Sequence, residues 1–485
     1  MGAFSLLGIL GGDRIPIADG FGWDGQLYAQ VAANPYLTLW VRGISSYHWG
    51  KVLPSLVVHA GMLVSGAIIT PPAVVKGFLL LNSAMLLLGT AIYNRLATFL
   101  RLSVAARWLG FCFLFINVNA IKVGFYYSVL TDISALVLGL AMTYFYLSRQ
   151  TTALALTTLV SSFTWGTALM MGLALLLFPA PADSRFEEPG LTPTPSLIPR
   201  GLAGLIALGA AGRLYYLYKV ESLRAIGYGP IPLTVEPVYP ISLLCTTLYI
   251  YAVFAWFFSL LSPGNVGAAL RRLDWRHVGL AVAVALPVKL IGALLAKGVY
   301  PFTVAAHFQM VTFQSATRPG VWMVAHFLAF GPMVAFLPLA WKGMRDMLAL
   351  WGPGAVLFTV LNLMTLIAPE SRHSVFGYPF LAIVMVLVLD RAKLVSNNLA
   401  WGVGLLSLVM CRVWQRFDTG AVDADGAPDV SRYFATQGMQ LPNADYLLGL
   451  IVLVLLGTGL LAYARSSRAR NVVDPMEPPQ VQGQP

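Results

Sequence analysis

The chain has 485 residues, of which 58% are hydrophobic and 11% charged, and its mean hydropathy is +0.74. That balance excludes a soluble globular domain. The net charge of +11 is scattered between apolar runs, which argues against nucleic acid and for a membrane-topology signal, and the three cysteines lie inside apolar runs, which excludes a disulfide framework or a zinc site.

The apolar runs are continuous rather than alternating, so in lipid they read as helices and not as barrel strands. The expectation is an all-α, polytopic helical membrane protein with about 11–14 transmembrane helices, each run being long enough to cross a bilayer. In chain order, "MGAFSLLGIL" is too short for a span and lacks the features of a signal peptide. Residues 11–76 precede the clear spans, and the run at 53–70, carrying Pro54, His59 and Pro71-Pro72, suits a broken or interfacial helix. Spans follow near 77–94, 104–121, 128–147, 151–179, 201–217 and 238–262, then near 278–297, 321–341, 347–368, 375–390, 399–414 and 444–464. The run at 151–179, interrupted by "SSFTWG", is long enough for two short helices. One transmembrane domain therefore covers 1–464, and 465–485 reads as a disordered cytoplasmic tail.

Basic residues divide the loops into two sets. Residues 94–107, 148–150, 180–200, 263–277, 342–346, 391–398 and 465–470 carry 16 Lys and Arg. Residues 122–127, 218–237, 298–320, 369–374 and 415–443 carry 7. The first set is expected in the cytoplasm and the second outside, whereas counting alone does not orient residues 1–76.

Ionisable residues are costly in so apolar a chain, so their positions carry information. "DGFGWDGQLYAQVA" (19–32) places Asp24 in a glycine-flanked turn ahead of a helix, either as a helix cap or as a reactive carboxylate. Arg42, His48 and Lys51 follow near the membrane surface, a donor set suited to a phosphate or to lipid headgroups. Asp132 falls at the outer end of a span. The outer loop 298–320 offers His307 and Arg318, and "APESRHSVFGYPFL" packs Glu370, Arg372 and His373 into four residues, where Arg372 is suited to forked phosphate binding. The Asp-rich segment 415–443 reads as a solvated loop, and no residues stand at metal-ligand spacing.

"GWDGQLYAQVAANP" (22–35), "YHWGKVLPS" (47–55) and "TDISALVLGLAM" (131–142) together resemble the bacterial type C (GT-C) polytopic membrane glycosyltransferases, in particular members with a GYDGQFY-like first outer loop. That resemblance implies transfer of a sugar from a polyprenyl-phosphate donor to an acceptor at the outer face of a bacterial inner membrane. It implies Asp24 as catalytic base, Asp132 as its catalytic companion, and Arg372 and His373 on the leaving phosphate, with Arg318 second. A divalent metal is the one cofactor it admits; its partners are the lipid donor, the acceptor, membrane lipids and other membrane proteins. It also sets residues 11–76 outside, as a first outer loop with interfacial helices, which agrees with the cytoplasmic C-terminus expected from the basic loops. The alternative is a non-catalytic GT-C-like accessory or structural subunit of a larger membrane complex.

Overall fold

The computed structural model describes residues 1–181, 191, 193, 197–219, 238–271, 273–297, 311–422, 426, 428–437 and 441–473. Among the described residues the regular structure is helical throughout, apart from one isolated antiparallel bridge between Val422 and Pro428. Among the described residues five helices are long and apolar enough to cross a membrane: Pro71–Phe99, Leu197–Tyr216, Tyr239–Ser259, Trp275–Leu295 and Asn443–Ser467. Two bent pairs raise that number to seven: Val104–Phe115 with Asn119–Tyr126, bent by 53°, and Val321–Phe330 with Met333–Trp351, bent by 110°.

Both bends have local causes. At the first, Asn117 donates through Nδ2 to the carbonyls of Phe113 and Leu114 and accepts through Oδ1 from the Ala120 amide, so one side chain satisfies the backbone on both sides of the break. At the second, Gly331 has φ +74° and precedes Pro332, a pair that cannot continue a helix.

By length and composition the expected 11–14 spans thus become five to seven. The remaining apolar runs fold as short helices: Leu53–Val64, Asp132–Leu147, Thr151–Ser162, Ala168–Leu177, Pro353–Thr365 and Asn397–Cys411. The run at 151–179 is a helical hairpin, and Leu53–Val64 is too short to cross. Residues 465–473, expected to be disordered, continue the last helix to Val473, whereas 474–485 lie outside the described residues.

Contacts between loops define the two ends of the bundle. At one end Asp390 accepts from the amide and hydroxyl of Ser103, the Tyr146 hydroxyl donates to the Trp351 carbonyl, and the Tyr463 hydroxyl donates to Ser396. Arg101, Arg107, Arg149, Arg391 and Lys393 cluster in these segments, so this is a basic end. At the other, Ile15 donates to the Tyr126 carbonyl, and Asp13 accepts from the amides of Phe417 and Asp418. The short helices Asp132–Leu147, Pro353–Thr365 and Tyr378–Arg391 run between the basic end and this second end. Sixteen, thirteen and fourteen residues rise only about 20–24 Å.

Candidate functional site

The site grows from Tyr127. Asn82, buried on Pro71–Phe99, donates through Nδ2 to the carbonyls of Gly124 and Ser128 at 2.7 and 2.9 Å, which fixes the turn carrying Tyr127. The Tyr127 hydroxyl then accepts from the Gly25 amide at 3.1 Å. Gly22 sits at φ +62°, and a Cβ there would overlap the Tyr127 ring. The glycines of "GWDG" are thus required by close approach to a tyrosine, and the turn they form holds Asp24 at the start of the Gly25–Ala33 helix. Asp24 makes no side-chain cap bond. Its Oδ2 instead accepts from Arg372 Nη2 at 2.9 Å, across 348 residues of chain.

Arg372 is the hub. It lies on the Ser371–Ser374 turn with its Nε 3.3 Å from Glu370, whose other oxygen is 3.6 Å from His373 Nε2. Only 11% of the Arg372 side chain is exposed, against 53% for Asp24. Burial alone would favour its neutral form, but Glu370, Asp132 and Asp24 together hold the guanidinium firmly charged. Burial likewise works against the Asp24 anion, yet Arg372, Lys51 and His48 draw its pKa below the usual carboxylate value. Asp132, the first residue of its helix, is 4% exposed, and among the described residues neither of its oxygens has a hydrogen-bond partner.

Lys51 closes the far side. Its amide donates to the His48 carbonyl, its ammonium donates to the Tyr47 hydroxyl, and Trp165 at the tip of the 151–177 hairpin lies 5.6 Å from the ammonium. The Leu53 amide, donating to Phe163, ties this segment to the same tip. Burial pushes the Tyr47 hydroxyl up to about 12. Burial, with Lys51 next, holds His48 below the ordinary histidine value, while its Nδ1 lies 2.8 Å from the Ser45 hydroxyl.

Of the expected site residues, Asp24, His48, Lys51, Asp132, Glu370, Arg372 and His373 therefore belong to one charge-coupled cluster. Arg42 does not: it is exposed at the end of the Tyr36–Arg42 π-helix. Arg318 does not either. It donates to the Leu441 carbonyl and lies 5.6 Å from the Tyr446 ring, where it fastens the start of the last helix. His307 lies outside the described residues.

Two residues were not singled out from the sequence. Tyr433 lies on the Ser431–Gln437 helix, inside the segment read as a solvated loop. It is buried beside the cluster, its ring 6.5 Å from Trp23 and 5.9 Å from Tyr127. An aromatic pair, Tyr433-Phe434, in an otherwise polar stretch was the available signal. His326, buried in an apolar helix, braces the Arg372 turn from below. Its Nε2 is 2.7 Å from the Leu366 carbonyl, which can only accept, so Nε2 carries the proton and Nδ1 accepts from the Ser371 hydroxyl at 3.1 Å.

Among the described residues no three His, Cys, Asp or Glu side chains are grouped to hold a metal ion. Asp24 and Glu370 both turn to the Arg372 guanidinium, so the residues present do not fit the divalent ion that the resemblance admits. What the arrangement can do is offer the cations of Arg372 and Lys51 to an anion beside a partly exposed carboxylate, Asp24. Compared with protein-family models, curated proteins and solved structures, the chain matches none.

Proposed function

We propose that this chain is an integral-membrane glycosyltransferase that moves a sugar from a polyprenyl-phosphate donor to an acceptor hydroxyl, with Asp24 as the base. One observation carries the reading: a partly exposed carboxylate and a set of cations meet, from four distant segments, at the heads of helices too short to cross a bilayer. Those helices rise about 20–24 Å from the basic end, less than the ~30 Å hydrocarbon thickness. In this reading the cluster lies below the level of the membrane surface, where a phosphate on a lipid tail arrives and a soluble sugar nucleotide does not.

In this reading the donor phosphate draws Arg372 away from Asp24 and is held by Arg372 and Lys51. Losing its counter-ion raises the proton affinity of Asp24, which then takes the proton of the acceptor hydroxyl. The acceptor oxygen bonds to the sugar's anomeric carbon as the bond from that carbon to the phosphate oxygen breaks. The electron pair stays on the phosphate, and its growing charge is met by the same two cations. Asp132, buried and unpartnered, accepts hydrogen bonds from hydroxyls of the bound sugar.

The test is transfer of radiolabelled sugar from polyprenyl-phosphate donors to endogenous acceptor in membranes. Asp24→Asn is expected to lower transfer by about 100-fold or more at unchanged expression. Equal transfer by both membranes would remove Asp24 as base, and no transfer by wild type from any such donor would defeat the reading.

A further inference from the structure

The Ser431–Gln437 helix has a second side that the reaction above does not use. Tyr433 is buried beside the Asp24–Arg372 cluster, whereas Ser431 and Arg432 line a separate cavity of about 260 Å³ together with Arg412, Gln415 and Asp445. Three contacts hold this lining in place. Arg412 ends the Asn397–Cys411 helix in the left-handed region (φ 46°, ψ 45°), unfavourable for a non-glycine residue, and Lys122 Nζ donates to its carbonyl at 3.1 Å. Asp13 accepts from the amides of Phe417 and Asp418 at 2.8 and 2.9 Å, which pins the following loop. Arg432 Nη1 donates to the Arg416 carbonyl at 2.9 Å.

Among the described residues neither Arg412 nor Arg432 forms an ion pair. Arg412, Arg432, Ser431 and Gln415 line one small space, and their guanidinium, hydroxyl and amide groups are of the kinds that suit the oxygens of a phosphate. Asp445 in the same lining disfavours a doubly charged free phosphate and suits an ammonium group. Leading to the cavity, Trp401, Leu405 and Val409 stand four residues apart on one helix face, 61%, 64% and 55% exposed. An acyl chain lying along that stripe brings its headgroup to Arg412.

We propose that this cavity seats the headgroup of an amine-bearing phosphodiester lipid of the phosphoethanolamine type. The proposal does not rest on the glycosyl-transfer reading, because its readout is retention of lipid rather than turnover.

The test uses the full chain, delipidated in detergent and offered phosphatidylethanolamine, phosphatidylglycerol or phosphatidylcholine with matched acyl chains, with adducts counted by native mass spectrometry. Phosphatidylethanolamine is expected to be retained at least tenfold over the other two. Arg412→Gln/Arg432→Gln should abolish that preference with at most a small drop in melting temperature, since both side chains are exposed and the double variant loses one exposed hydrogen bond, from Arg432 to the Arg416 carbonyl. Asp445→Asn should shift retention toward phosphatidylglycerol. Equal retention of the three lipids, or wild-type retention by the double variant, would overturn the site. Displacement of the lipid by equimolar water-soluble O-phosphoethanolamine would overturn its assignment to a lipid.

Discussion

A single guanidinium answers to three carboxylates of very different exposure, and the difference predicts how each residue behaves on substitution. Asp24 is 53% exposed, so its ion pair with Arg372 is largely screened and Asp24→Asn should cost only about 0–1 kcal/mol of stability. Arg372→Gln instead leaves Glu370 and the buried Asp132 without their nearest cation, a loss of about 3–5 kcal/mol. Thermal unfolding in detergent checks the contrast: a clear drop for Arg372→Gln and little change for Asp24→Asn, although both variants lose transfer. The same cluster sets an acid limit. His48 is held below its ordinary value, so its share of stability is complete above the unfolded pKa near 6.5 and is lost as pH falls through the lower folded value. Asp24, also depressed, keeps its share above a pH of about 4 and loses it only as pH falls below that, through its own folded value. His48→Gln should therefore flatten the melting-temperature profile just below pH 6.5 and leave the more acidic loss in place.

At the scale of elements, the site depends on how closely the Asp132–Leu147 helix approaches the chain that carries Arg372. A Cβ at Gly139 would overlap the Phe376 carbonyl, so this glycine sets the distance between Asp132 and the 371–374 turn. Gly139→Ala should cost about 1–3 kcal/mol through overpacking and lower transfer as well, because it drives Asp132 away from Arg372. Gly402→Ala is the control. Nothing lies within 4 Å of its added Cβ, and the gain in helix propensity makes it neutral or stabilising by up to about 1 kcal/mol. Much of the cluster was legible in the sequence because the membrane makes charge conspicuous: Asp24, Lys51, Asp132 and Glu370-Ser371-Arg372-His373 stand out from an apolar background. Tyr433 and His326 were not, since each acts through a partner remote in sequence, Trp23 for one and the 371–374 turn for the other. The number of spans was overestimated for a related reason. Apolar content marks what is buried, but Asn117, Gly331 and the 163–167 turn decide where a helix stops. A run buried inside a bundle need not be long enough to face lipid on both sides.

For the whole molecule, the two ends differ in charge as well as in chemistry. Arg101, Arg107, Arg149, Arg391 and Lys393 gather where Asp390 meets Ser103 and Tyr146 meets Trp351, while the Asp24–Arg372 cluster sits at the opposite end. Because short loops rich in Lys and Arg tend to be retained in the cytoplasm, the proposed function sets the basic end inward and the cluster outward. Exposed positions report this directly: Thr419 is at the cluster end and Asn398 at the basic end. In intact cells a membrane-impermeant maleimide should label the Thr419→Cys variant at once and the Asn398→Cys variant only after permeabilisation. Wild type, with Cys112 and Cys411 buried and Cys245 half-buried on the apolar Tyr239–Ser259 helix, serves as the blank. The opposite pattern would turn the cluster toward the cytoplasm, where soluble nucleotide sugars are plentiful. The argument for a polyprenyl-phosphate donor at the outer face would then fail even if Asp24 proved to be the base.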